Sequence, residues 1–112
     1  MIARIWRCTL AQENVPEYLH YFEASVLPRV SKIDGFSHVS VLEHQADGDA
    51  ELTLVSFWVT MDAIRAFAGD DPEAAVVPPA MQAMLKRFET RVTHHAVLLH
   101  AGPDAPAPDM PD

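Results

Sequence analysis

The run Leu52 to Val59 (Leu-Thr-Leu-Val-Ser-Phe-Trp-Val) is apolar on both faces when read with a period of two: Leu52, Leu54 and Trp58 on one, Val55, Phe57 and Val59 on the other. A strand in a small antiparallel sheet ordinarily turns one face to water, so both faces of this one need cover. Helices supply one layer. In a chain of 112 residues little is left to build another, and the simplest source is a second copy, which predicts a homodimer.

Length allows one domain that buries roughly two-thirds of its unfolded surface. A net charge of -8, with no cluster of Lys or Arg, argues against nucleic-acid or anionic-membrane surfaces. No apolar run approaches the roughly 20 residues that span a bilayer. The single cysteine, Cys8, and a start without a basic-then-apolar leader point to the cytoplasm.

Residues 2–10 read as the first strand. Asn14 with Glu17 forms a helix-start pair, ahead of Val15, Tyr18, Leu19, Phe22 and Val26 at helical spacing. Pro28 is expected to disrupt that helix, and Asp34-Gly35 to end the segment. Asp47-Gly48 marks a tight hairpin between strands 36–45 and 51–59. Thr60 caps a helix over 61–69 with Ile64, Phe67 and Ala68 on one face, and Asp71-Pro72 opens another turn. Beyond Pro78-Pro79, the series Met81, Met84, Leu85, Phe88 predicts a third helix, and 91–100 the last strand. The order β-α-β-β-α-β predicts an α+β, ferredoxin-like domain over 1–100, with an antiparallel four-stranded sheet and helices on one face. Residues 101–112, nearly all Gly, Pro, Asp and Ala, read as a disordered tail.

The opening Met1-Ile2-Ala3-Arg4-Ile5-Trp6, the pair Phe57-Trp58 with the run Asp62 to Asp71, and the closing Val92-Thr93-His94-His95 resemble the antibiotic biosynthesis monooxygenase family over about residues 1–100. The resemblance implies a dimeric α+β barrel, with two sheets facing each other and a pocket in each subunit between sheet and helices. Haem-degrading members hold iron with a helix His and use a first-strand Asn beside a Trp at the place of Trp58. Here 45–93 contain no His and Trp6 stands near the Asn position, which argues against haem chemistry. The branch that oxidises aromatic polyketides to quinones pairs the same Trp with an Asn four residues earlier and a Tyr six later. Those places hold Leu54 and Ile64, so Trp58 alone carries over.

Alternation puts Arg4, Trp6 and Cys8 on one face of the first strand, and Trp58 on the face of Leu52, Leu54 and Ser56. By family analogy both Trp look into the pocket, each offering a flat wall and one N–H donor; the competing reading is core filling. His94 and His95 must face opposite ways. His94, sharing a face with Val92, Ala96 and Leu98, is the candidate base. His38, on the Phe36 and Leu42 face, is expected to approach a last-strand His across the sheet. Arg4 either holds a phenolate or carboxylate or pairs with one of the sixteen acidic side chains at the sheet's edge. Leu54, Ile64 and Phe67 complete the candidate lining. Cys8 reads as a small core residue, and His20, His44 and His100 as solvated. No metal-ligand spacing stands out, so no metal is expected.

Oxygenases that use neither metal nor flavin need a dry aromatic pocket, one base and a few donors. The expectation is a cofactor-independent monooxygenase or oxidase of a small aromatic or quinol-type substrate, with His94, Trp58 and Trp6 as catalytic residues. The alternative is a non-catalytic dimeric module that binds a small apolar ligand or serves assembly or stress response.

Overall fold

Two long strands, β1 (Ile2–Ala11) and β3 (Asp49–Trp58), pair antiparallel along their whole length, from Ile2 opposite Trp58 to Ala11 opposite Asp49. The structure is a computed structural model that describes residues 1–103. The predicted tail, 101–112, lies outside the described residues from 104 onward. β2 (Phe36–Ala46) joins β3 through Asp47 and Gly48, whose φ angles of 51° and 83° are the left-handed pair that a two-residue hairpin requires.

The other edge of β1 carries two short strands rather than the single predicted strand 91–100. β4 (Arg87–Phe88) lies opposite Cys8 and Thr9, and β5 (Thr93–Ala96) opposite Ile2 to Ile5. The sheet therefore has five strands where four were expected, the fourth position being split. Its cause is a competing partner: Ala75 donates its N–H to the Thr90 carbonyl and Val92 donates to the Glu73 carbonyl, so the interruption pairs outward with a strap over 71–76.

The first crossover enters through a 3-10 turn, Gln12–Asn14, and continues as α1 (Val15–Tyr21). Asn14 is itself helical, with φ -91° and ψ -6°, and its side chain makes no capping bond, contrary to the Asn14–Glu17 expectation. Pro28 disrupts the helix, as expected, without ending it. A wide π turn, Phe22–Val26, in which the Leu27 N–H reaches back five residues to the Phe22 carbonyl, leads into α2 (Leu27–Val30) with Pro28 in its first turn. A proline there removes a helical donor, and the wider turn takes up the loss.

In the second crossover Thr60 caps α3 (Met61–Ala68), its hydroxyl accepting from the Ala63 N–H at 3.1 Å. The predicted third helix shrinks to α4 (Pro79–Gln82). Past it, the N–H groups of Lys86 and Glu89 donate to the Thr9 and Arg7 carbonyls. Pairing with the sheet edge satisfies these backbone groups and overrides the 3.6-residue pattern, and it carries Phe88 to within 6.4 Å of the Trp6 ring.

The helices cover one face of the sheet. Under them lie one cluster around Leu10, Tyr18 and Leu52 and another around Val30, Trp58 and Ile64. Fully burying Leu52 and Ile64 contributes roughly 1.5–3 kcal/mol each. On the opposite face Val55, Phe57 and Ile5 are half-buried and Leu42 is exposed. No helix among the described residues is long and apolar enough to cross a membrane.

Gly35 locks the turn that leads into β2. Its φ is +97°, and a Cβ there would lie 2.8 Å from the Ala63 Cβ. Both the backbone and the space exclude a side chain, so Gly35→Ala should cost about 2 kcal/mol or more, measured as a lower urea midpoint with unchanged slope.

Candidate functional site

Between the helix-covered face of the sheet and the π turn, α2 and α3 lies a cavity of about 70 Å³. Its walls are apolar and aromatic: Trp6, Trp58 and Leu54 from the sheet, Phe22 and Val26 from the first crossover, Phe67 from α3. The bare period-two pattern of β1 and β3 is what aims Arg4, Trp6, Leu54 and Trp58 inward together. Trp58 is pinned by Phe36 edge-on at 5.2 Å and by Phe67 stacked at 5.7 Å.

Neither indole has a spare donor. Trp6 Nε1 donates to the Glu89 carbonyl at 2.6 Å, and Trp58 Nε1 donates to the Ser56 hydroxyl at 2.9 Å. The two tryptophans present faces, not N–H groups, to the cavity.

Arg4 is the charged group on the wall, and it is only 5% exposed. Its donors go to the Pro72 carbonyl, to the Ala74 carbonyl at 2.8 Å and to His94 Nε2 at 3.2 Å. The Phe67 ring lies 5.7 Å from the guanidinium carbon. The expected salt bridge at the sheet's edge does not form: no carboxylate among the described residues pairs with Arg4. The reason is depth, because the acids of the neighbouring strap, Asp71 and Glu73, point outward to Arg91 while the Pro72 and Ala74 carbonyls point inward. Burial lowers the Arg4 pKa to about 10, which still leaves it charged at neutral pH.

His94 sits opposite Arg4 on β5, on the helix-facing side of the sheet, but is absent from the cavity wall. Desolvation and then the Arg4 charge lower its pKa, so the ring is neutral, and the Arg4 contact assigns the lone pair to Nε2. His38 is elsewhere. A bulge between Phe36 and His38 reverses the alternation, so that Phe36 and Val39 line the cavity while His38 stacks on Phe57 at 4.3 Å on the other face. The last-strand side does approach it there, through His100 at 5.9 Å. Ile64 is fully buried behind Trp58 and does not reach the cavity. Among the described residues, no group of three or more His, Cys, Asp or Glu side chains is arranged to hold a metal ion.

Sequence reasoning missed Val76, Met81 and the carbonyls of Pro72 and Ala74. The carbonyls carry no residue-type signal, and the strap reads as an ordinary turn. Cys8 is buried beneath the sheet, its thiol pushed up to about 12 by desolvation.

Several solved structures superpose on the chain. A candidate antibiotic biosynthesis monooxygenase from Bacillus cereus matches with a TM-score of 0.64, at 15% identity over 90% of this chain and 96% of its own. A monooxygenase of Streptomyces coelicolor, ActVA-Orf6, in complex with nanaomycin D matches with 0.65, at 14% identity over 92% of each. The fold is that of the antibiotic biosynthesis monooxygenases. The haem degrader MhuD of Mycobacterium tuberculosis, with two haems in its active site, also matches this monooxygenase fold, with 0.56 at 17% identity over 91% of this chain and all of that one. No family model matches the sequence, and no curated protein is similar to it.

The neutral His94 makes stability depend on pH. Its folded pKa lies below the ordinary 6.5, so the unfolded chain takes up the proton first, and stability falls as pH drops through 6.5 toward the lower folded value. His94→Gln should flatten that acid-side loss, seen as a smaller drop in thermal midpoint than wild type shows between neutral and mildly acidic buffer.

Proposed function

We propose that the chain is a cofactor-independent oxygenase or oxidase of a small aromatic or quinol-type substrate. The observation that carries this reading is the apolar, aromatic-walled cavity with the Arg4 guanidinium buried in its wall and, among the described residues, no carboxylate paired with it. An electron-rich substrate anion reduces oxygen directly, and the protein has to exclude water and hold the anion while it does so. Arg4 performs the holding. Trp6, Trp58, Leu54 and Phe67 form the walls, and His94, outside the wall but bonded to Arg4, is the group proposed to accept the substrate proton as the anion takes over Arg4's donors. In the oxidase form a dihydroxyaromatic gives two electrons and two protons to oxygen, leaving a quinone and hydrogen peroxide. The fold's occurrence in a nanaomycin-binding monooxygenase supports the substrate class.

A second reading has an observation of its own. The cavity, about 70 Å³, is smaller than the roughly 150 Å³ that holds benzene in an engineered core. A module whose pocket is nearly packed, or takes an apolar ligand smaller than benzene without turning it over, needs no larger space.

Oxygen consumption with a panel of dihydroxyaromatics separates the two. Wild type should consume oxygen above the buffer rate, and Trp58→Phe, which keeps an aromatic wall and the fold, should lower it about tenfold or more through lost positioning. Ligand binding without oxygen uptake across the panel would leave the module.

We infer further that the working unit is a homodimer, closed over the face that carries Ile5, Val55, Phe57 and Leu42. Sedimentation at micromolar concentration should give a two-chain particle, and Val55→Asp should shift it to one chain. A single-chain wild type would refute the pairing.

A further inference from the structure

A second, smaller space of about 40 Å³ opens beside the cavity, lined by Tyr21, Ser25 and Arg29 together with Pro78. The two spaces share Val26, Phe67 and Val76, so these side chains form the partition between them. None of the three is fully buried. Tyr21, Ser25 and Arg29 follow each other at four-residue intervals and make a polar stripe along the first crossover helix, next to the apolar stripe Phe22, Val26, Val30 that faces the cavity. The outer space is thus a polar mouth in front of an apolar chamber.

The charges along this route have one sign. The chain carries 16 acidic residues against 8 Lys and Arg, yet no Asp or Glu lines either space, whereas Arg29 lines the mouth and Arg4 the chamber. Arg29 is exposed and forms no ion pair among the described residues. Arg4 is buried with carbonyls and a neutral imidazole for partners, which stabilise a guanidinium without cancelling its charge. Its bonds to Pro72, Ala74 and His94 use three of five N–H donors, and the remaining two are free to meet a planar oxyanion.

From this geometry we propose that the cleft at Tyr21, Ser25 and Arg29 is the entrance to the cavity, and that Arg29 and Arg4 together admit small planar organic oxyanions, carboxylates or phenolates, in preference to neutral or cationic molecules of the same shape. The proposal rests on the reading of the cavity as a ligand site and deepens it by fixing the ligand's charge and its route. Arg29 acts at a distance, raising the encounter rate in a salt-dependent way. Arg4 acts in contact. The partition yields by rotation of Phe67, whose ring now stacks on Trp58.

Titration calorimetry with benzoate, benzamide and benzylamine on the full chain tests charge at nearly constant shape, with nitrophenol above and below its own ionisation as the phenolate arm. Benzoate should bind at least tenfold tighter than benzamide, benzylamine should not bind, and nitrophenol should bind only when ionised. Arg4→Gln should erase the preference. Because that change leaves two buried carbonyls without donors and can unfold the chain, Arg29→Gln on the exposed helix face is the second variant. In stopped flow, followed by the fluorescence of the two tryptophans, Arg29→Gln should slow benzoate association severalfold and flatten its salt dependence, with benzamide unaffected. Equal binding of benzoate and benzamide would overturn charge selection and leave the cavity reading standing. Binding of none of the probes would overturn both, and an Arg29→Gln variant with wild-type salt dependence would overturn the route.

Discussion

The Arg4 guanidinium carries a charge to a depth where water does not follow, and much of the second half of the chain is arranged to make that tolerable. Left unpaired, a buried charge costs several kcal/mol, a large share of a small domain's stability, so its donors must be met. They are met by the strap: the Pro72 and Ala74 carbonyls face in, while Asp71 and Glu73 between and beside them face out to Arg91. The turn over 71–74, closed by the Ala74 N–H on the Asp71 carbonyl, accomplishes both tasks at once. One consequence is positional. The strap is drawn against β1, Val76 is brought to the cavity wall, and the edge strand is interrupted because residues 90–92 turn to pair with it.

How far this could be read in advance differs from element to element. The two apolar faces of 52–59, the Asp47-Gly48 hairpin and the Thr60-capped helix follow from local chemistry, and the structure has each where that chemistry puts it. His38 does not follow, because one extra residue in β2 reverses which face a side chain takes, and nothing in the residue types around Ser37 announces a bulge. The series Met81, Met84, Leu85, Phe88 is a genuine helical period, yet the backbone donors of Lys86 and Glu89 find the free edge of β1 first. Long-range pairing defeats a local pattern there. Arg4 could be placed on the inward face of β1, but its partners could not be named, since they are main-chain carbonyls about 70 residues away.

The same contrast runs through the candidate site. Trp6 and Trp58 reach the cavity because they sit on the central strands, where register is fixed over ten paired positions. Ile64 fails to reach it because α3 turns that residue into the cluster with Val30 and Trp58, leaving Phe67 one turn further on to form the wall. The quinone-forming pattern would require polar groups where this chain has Leu54 and Ile64. Leu54 gives the wall an aliphatic side chain, Ile64 lies behind it, and the engaged indole N–H groups offer no donor there. The positive charge left on the wall is Arg4.

In the proposed oxygenase or oxidase, that concentration of charge constrains the chemistry. His94 is the nearest base, but its lone pair already accepts from Arg4, and a protonated imidazole there would face a guanidinium 3.2 Å away. A neutral phenol entering the chamber would therefore have to lose its proton to a ring that is held neutral by burial and by its neighbour. A substrate that enters as an anion avoids this step. It brings the countercharge that Arg4 lacks, and in doing so raises the basicity of His94, which can then take a second proton as the substrate is oxidised. In that proposal the order anion first, proton second rests on the 3.2 Å between Arg4 and His94, and it ties the proposed entrance at Arg29 to the proposed base beside Arg4.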